Sequence, residues 1–232
     1  MDSYSEEMAD EAAKAKTLNL TKPKAILFDW DNTLVDTWPI IYNAMAHTFT
    51  EMGSKPWSLE ETKQKVGHSM RDHFPKLFGD RWEEAGKIYG DSYKSKHLEN
   101  LTPLVGALET LRFLNATEIF RAVVSNKQGP TLRQEAEHIG WDKYFHKLVG
   151  ATDAARDKPF ADPAILALKE SGITPAPHVW FIGDSAPDVE CALAAGLTPI
   201  VIDNKPLLKM YSQDITHVNN HAELKALIEE FI

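Results

Sequence analysis

Short apolar runs that each stop at a polar residue constrain this chain more than any other feature. They are "KAILFD" (24–29), "RAVVSN" (121–126), "KLVGA" (147–151), "VWFIGD" (179–184) and "TPIVID" (198–203), with a weaker "THVNN" (216–220) after them. Runs of this length without polar alternation suit strands covered on both faces. Between them, "PTLRQEAEHIG", "DPAILALKESG" and "PDVECALAAG" carry helical spacing and end on glycine, and "AELKALIEEFI" keeps the same spacing at the end of the chain. Strand alternating with helix means a parallel sheet with helices on both faces.

Residues 37–101 break that alternation, because they show helical patterns and no convincing strand. In "PIIYNAMAHTFTEMG" a stripe of Ile41, Ala44, Met45, Thr48, Phe49 and Met52 runs to a stop at Gly53, and "SLEETKQKVG" opens with a capping box from Ser58 to Glu61. "SMRDHFPKLFGD" and "WEEAGKIYGDSYKSKHL" follow as further helical stretches. The expected fold is therefore α/β: a Rossmann-like parallel sheet core, residues 23–36 and 102–232, with an inserted helical cap at 37–101. Residues 1–22 are polar and read as a flexible tail, in which "EMADEAAKAK" could form one short surface helix.

In open parallel sheets ligands bind outside the carboxyl ends of the strands. Those ends carry Asp29 and Asp31 after the first run, Ser125 and Asn126 after the second, Lys158-Pro159 beyond the third, and "GDSAPD" after the fourth. Singly, each has an ordinary structural explanation. Asp at a strand end makes a turn, Lys158 alone is a solvated lysine, and Ser185 with Asp188 starts a helix. Together they bring Asp29, Asp31, Asp184 and Asp188 into one crevice, where mutual repulsion calls for a cation. Oxygen-only ligands favour a hard ion, Mg2+ above all.

With "DWDNT", "VVSN", "KP" and "GDSAPD" in this order, the chain resembles the haloacid dehalogenase-like hydrolases, and within them the phosphatases. The resemblance covers nearly everything except the N-terminal tail. It implies that Asp29 is the nucleophile that becomes an aspartyl phosphate. It implies also that Asp31 is the acid that protonates the leaving alcohol and the base that then activates water. Mg2+ would be held by the Asp29 carboxylate, the Asp31 backbone carbonyl and Asp184, with Asp188 in support. Ser125, Asn126 and Lys158 would hold phosphoryl oxygens, and Lys158 would also steady the nucleophile. An acid at position 31 favours phosphate esters over carbon–halogen or carbon–phosphorus bonds. Two positions depart from the family's usual pattern: Asn32 stands where glycine is frequent, and Ala161 where proline is common. Asn tolerates a left-handed backbone, so the turn should survive.

Substrate choice is expected in the cap, where "VGHSMRDHF" (66–74) resembles the loop that closes over the site in relatives acting on phosphoglycolate or phosphosugars. His68 and Arg71, with Lys65 nearby, are the candidate specificity residues. A net charge of −9 and a pI of about 5.5 argue against nucleic acid as a partner. The lone Cys191 reads as a small core residue, excludes an internal disulfide and suits the cytoplasm. No run approaches the roughly 18 apolar residues of a membrane span. Trp30 is expected to pack near the site mouth, and Trp57, Trp82 and Trp141 as packing or surface anchors. The reading is a soluble, cytoplasmic, Mg2+-dependent phosphatase, monomer or homodimer, acting on a small phosphorylated metabolite and most like phosphoglycolate phosphatase. The alternatives are a phosphosugar mutase of the beta-phosphoglucomutase type and a non-catalytic binding or regulatory protein on the same fold.

Overall fold

The computed structural model describes residues 20–211 and 215–232. The expected tail and its short helix lie almost wholly outside the described residues. Leu20 packs against the core and the Thr21 carbonyl accepts a bond from Trp180 Nε1 at 3.0 Å, so the tail as drawn from sequence ends too late.

The described elements run β1 (Ala25–Phe28), β2 (Val35–Asp36), α1 (Trp38–Glu51), α2 (Leu59–Lys65), α3 (Met70–Phe78), α4 (Trp82–Lys94), α5 (His97–Asn100), β3 (Thr102–Pro103), α6 (Ala107–Asn115) and β4 (Phe120–Gln128). They continue through α7 (Gly129–His138), β5 (Lys147–Ala151), α8 (Asp162–Leu168), β6 (Val179–Gly183), α9 (Ala186–Ala194), β7 (Thr198–Ile202), β8 (Thr216–Val218) and α10 (His221–Glu229). A six-stranded sheet has the order β5-β4-β1-β6-β7-β8, with every pairing parallel. The chain moves outward from β1 through β4 to β5, then crosses back and continues through β6, β7 and β8. The strand order reverses beside β1, and a crevice opens at its carboxyl end.

Period-2 alternation divides the strand residues between two buried layers. Ile26, Phe28, Val123 and Ile182 face α6, α7 and α10 through Leu111, Leu132 and Leu224. Leu27, Val124 and Phe181 face α8 and α9 through Ala167, Cys191 and Ala192. Each such large side chain contributes about 1.5–3 kcal/mol by leaving water. Cys191 is therefore the small core residue expected.

The glycine stops hold: Gly53, Gly140, Gly172 and Gly196 all have φ between 65° and 76°. Of these, Gly172 does not close its helix directly. α8 ends a turn early at Leu168, because Lys169 leaves helical ψ (132°) and Glu170 turns left-handed (φ 73°).

Between β2 and β3 the chain forms only helices, packed on an apolar centre of their own that includes Ile41, Met45, Phe49, Phe74, Ala85 and Tyr93. The Ser58–Glu61 capping box is present in both directions, at 2.9 and 3.1 Å. β2 and β3 pair antiparallel where the chain leaves and re-enters the core. Strands of two residues carry no periodic signal, which is why sequence reading passes over them. Trp30 overturns its expectation. It is fully buried, edge-on to Trp141 at 6.2 Å, with its indole N–H donated to Glu135 at 2.8 Å. A residue following β1 that points back under the sheet finds core, not the mouth.

Candidate active site

Asp29 leaves β1 with its backbone N–H still bonded to Ile182 O at 2.9 Å, so the ladder extends one residue and fixes its carboxylate at the strand end. Asp184 follows β6 directly. Asp188 lies in the first turn of α9 and reaches back to the helix-capping Ser185, whose N–H and hydroxyl donate to Oδ2 at 2.9 and 2.5 Å. The close packing requires Gly183, since a Cβ there would sit 2.4 Å from Asp188 Cβ.

Lys158, buried at 2% exposure, donates to Asp29 Oδ1 at 2.8 Å and to Asp188 Oδ1 at 2.6 Å. A solvated lysine is therefore excluded. Burial pushes its pKa down, but Asp188 and Asp29 outweigh that, so it stays charged. Oxygens of Asp29, Asp184 and Asp188 all lie within 4.8 Å of one another. Burial raises the Asp29 carboxyl to about 7 against the pull of Lys158, with Asp188 and Asp31 adding to the rise. Asp184 is raised well above its ordinary value by burial, then by Asp188 and Asp29. Buried carboxylates this close, with one ammonium among them, are a hard oxygen donor set that fits a divalent cation. Thr33 holds Asp184 through its hydroxyl at 3.1 Å, and His221 Nε2 holds the Thr33 carbonyl at 2.7 Å.

The carboxylate of Asp31 stands apart from that group. Its Oδ1 accepts from Thr37 Oγ1 at 2.7 Å and from Lys127 Nζ at 2.5 Å. Asn32 between the two acids has φ 60°, so asparagine fills the left-handed position without disturbing the turn. Its N–H donates to Val35 O at 2.7 Å. Ser125, 3% exposed, lines the cleft beside Asp29 and Lys158.

Two candidates sit differently from their expected roles. The Asn126 side chain is used on backbone: its amide donates to Gly67 O and Lys158 O and its oxygen accepts from Lys158 N, each at 3.0 Å. It braces the Lys158 loop against the loop carrying Gly67 instead of presenting its amide to a phosphate. Arg71 forks onto Asp157, with both contacts at 2.6 Å, and is absent from the cleft wall, whereas His68 and Lys65 line it. A buried carboxylate beside Lys158 is a stronger partner for a guanidinium than open solvent. Sequence reasoning missed Lys127, Glu135 and His97. The last two read as ordinary polar positions on helix faces, and nothing in their spacing announces burial.

The helices between β2 and β3 and the carboxyl ends of the sheet strands line a cleft of about 1360 Å³, with Asp29, Asp31, Ser125 and Lys158 on the sheet side and Lys63, Lys65, His68 and Lys87 on the helical side. Among the described residues no helix is long and apolar enough to cross a membrane.

A family profile described as haloacid dehalogenase-like hydrolase matches residues 26–202. A phosphoglycolate phosphatase from Chromobacterium violaceum is 28% identical over 194 residues, covering 80% of this chain and 87% of that protein. One from Pseudomonas putida is 31% identical over 194 residues, covering 76% of this chain and 68% of its own length. A crystal structure of a superfamily hydrolase from Ehrlichia chaffeensis superposes with a TM-score of 0.63 at 31% identity, covering 92% of this chain and 99% of that one.

Proposed function

The chain belongs to the haloacid dehalogenase-like hydrolases, and from that premise we propose that it is a Mg2+-dependent phosphatase of small anionic metabolites, working through an aspartyl phosphate on Asp29. One observation carries the reading: two acids of a single turn are held in opposite environments. Asp29 sits against Lys158 among the metal-type carboxylates, and Asp31 sits outside that group on Thr37 and Lys127. Phosphoryl transfer needs one carboxylate ionised as nucleophile and its neighbour to move protons, and a cation bound at the Asp29 group would offset the burial that raises Asp29 and keep it ionised.

Lys158 fixes Oδ1 of Asp29, which leaves the other oxygen to attack phosphorus in line with the leaving group. Asp31 gives its proton to the departing alcohol, then takes one from the water that cleaves the intermediate. The Ser125 hydroxyl and the Lys158 ammonium hold the transferring oxygens, and Asn126 keeps the Lys158 loop in place. Mg2+, held by Asp29, Asp184, Asp188 and the Asp31 carbonyl, would neutralise negative charge on the phosphoryl group.

Residues 37–101 act as the cap in this reading. Their lysines and His68 suit a substrate whose far end is also anionic, in keeping with relatives named phosphoglycolate phosphatase. The buried lone cysteine and the net charge of −9 fit a cytoplasmic enzyme without a nucleic-acid partner.

Purified protein should release inorganic phosphate from phosphoglycolate and from nitrophenyl phosphate with Mg2+ and not with excess chelator. Asp29→Asn should lower the rate by at least about 1000-fold. Activity that survives Asp29→Asn refutes the mechanism, and phosphate returned to a sugar, with none released to water, identifies a mutase instead.

A further inference from the structure

Behind Asp31 lies a buried polar cluster that the reaction as described leaves without a role. Glu135 on α7 is wholly inaccessible to solvent. Its Oε2 accepts from Lys127 Nζ at 2.6 Å and from Trp30 Nε1 at 2.8 Å. Its Oε1 is 2.9 Å from His97 Nδ1 and accepts from the Tyr93 hydroxyl at 3.1 Å. Burial pushes this carboxyl up, but Lys127 and the hydrogen bonds outweigh it and hold Glu135 below its ordinary value, ionised at neutral pH. Such a cluster is an expensive way to fill a core, because well-packed apolar residues of the same volume are often as stable or more so.

Each member has a place in the architecture. Lys127 lies in β4 just beyond Ser125 and Asn126, and its ammonium bridges Glu135 to Asp31 Oδ1. It lies also over the Tyr93 ring, 5.1 Å from the centroid. Tyr93 and His97 belong to α4 and α5, the last helices before the chain returns to the core, whereas Glu135 belongs to the core helix that follows β4. Cap and core therefore meet on the same carboxylate that grips the lysine holding Asp31. Thr37 holds Asp31 from the other side, where the chain enters the cap.

We propose that Lys127 and Glu135 are positioning residues that aim the Asp31 carboxyl, and that Tyr93 and His97 make this aim depend on the seating of the cap. This rests on Asp31 being the proton donor to the leaving group. Glu135 and His97 do not border the cleft, so they act on turnover only through the groups that Glu135 holds, and of these Lys127 is the one bonded to the Asp31 carboxylate.

The test compares two uncharged-ring esters that carry no second anionic group, phenyl phosphate with a poor leaving group and dinitrophenyl phosphate with a good one. Only the first needs a proton at the leaving oxygen. In Glu135→Gln, kcat/KM should fall about 30-fold for phenyl phosphate and less than about 3-fold for dinitrophenyl phosphate. His97→Leu, which removes only the cap-side arm, should show the same bias at a smaller size, and Lys127→Arg should recover most of what Lys127→Met loses. Each variant is checked by near-UV circular dichroism, and if Glu135→Gln does not fold, His97→Leu and the Lys127 pair carry the comparison. Equal losses on both esters in folded variants overturn the proposal. Wild-type protein inactive on both esters overturns the phosphatase reading first and this inference with it.

Discussion

Asp29 and Asp31 differ in partners, not in residue type. Asp29 is buried against Lys158 and raised to about 7, whereas Asp31 rests on a threonine hydroxyl and on Lys127. The division of labour proposed for them was legible in the sequence because a strand-end acid pair, a distant lysine and a second acidic turn stand in the order that the family resemblance implies. The groups that aim them were not. Thr33 reaches Asp184 and Lys127 reaches Asp31 across separations that no local spacing reveals, whereas the bonds of Thr37 to Asp31 and of Glu135 to Lys127 join near neighbours in sequence through bends of the chain that no periodicity announces. Gly183 belongs at this scale as well. A methyl group there would press on the Cβ of Asp188 at 2.4 Å and push that carboxylate off Lys158. Gly183→Ala should cost about 1–3 kcal/mol in a thermal or denaturant melt. It should also lower phosphatase activity by at least about 10-fold, since one displaced ligand loosens the whole group. Unchanged activity would mean that Asp188 is dispensable.

At the level of elements, the strands were the most readable part. β5 and β6 coincide with the apolar runs "KLVGA" and "VWFIG", because strands covered on both faces leave an uninterrupted signal. α8 was read too long, and β2 and β3 were not read at all. The contact between α3 and the loop before Lys158 was also invisible, because Arg71 looks like a solvated helix residue until Asp157 is placed beneath it. That pair clips α3 to the loop carrying Lys158, with Asp157 also capping Thr152 N at 2.9 Å. A clip, unlike a substrate ligand, does not discriminate among substrates. Arg71→Ala should raise KM for phosphoglycolate and for nitrophenyl phosphate by similar factors and cost about 1–3 kcal/mol by stranding Asp157. A selective rise for phosphoglycolate would return Arg71 to the role of substrate ligand.

For the whole molecule, the acidic crevice ties stability to pH and to metal. A carboxyl raised in the folded state binds more protons folded than unfolded between its two pKa values, so stability falls as pH rises through that window. For Asp29 the window runs from 3.8 to about 7, and Asp184 shifts in the same direction. Metal-free protein should therefore lose part of its stability between pH 4 and pH 7 from these groups. Mg2+ should restore it most where both carboxyls would otherwise be ionised. At about 100 times its dissociation constant the ion should raise Tm by roughly 5–10 °C at pH 8. The gain at pH 5 should be much smaller, as differential scanning calorimetry would read directly. Equal gains at both pH values would place the ion elsewhere.

In the proposed mechanism Asp29 carries the phosphoryl group. Asp31→Asn protein given dinitrophenyl phosphate and Mg2+ should form that intermediate without hydrolysing it, since the good leaving group needs no acid and the water lacks its base. Borohydride reduction followed by peptide mass spectrometry should then find homoserine at position 29, and only when ester and metal are both present. A reduced residue elsewhere, or dinitrophenol released in a burst with position 29 unmodified, would contradict the account.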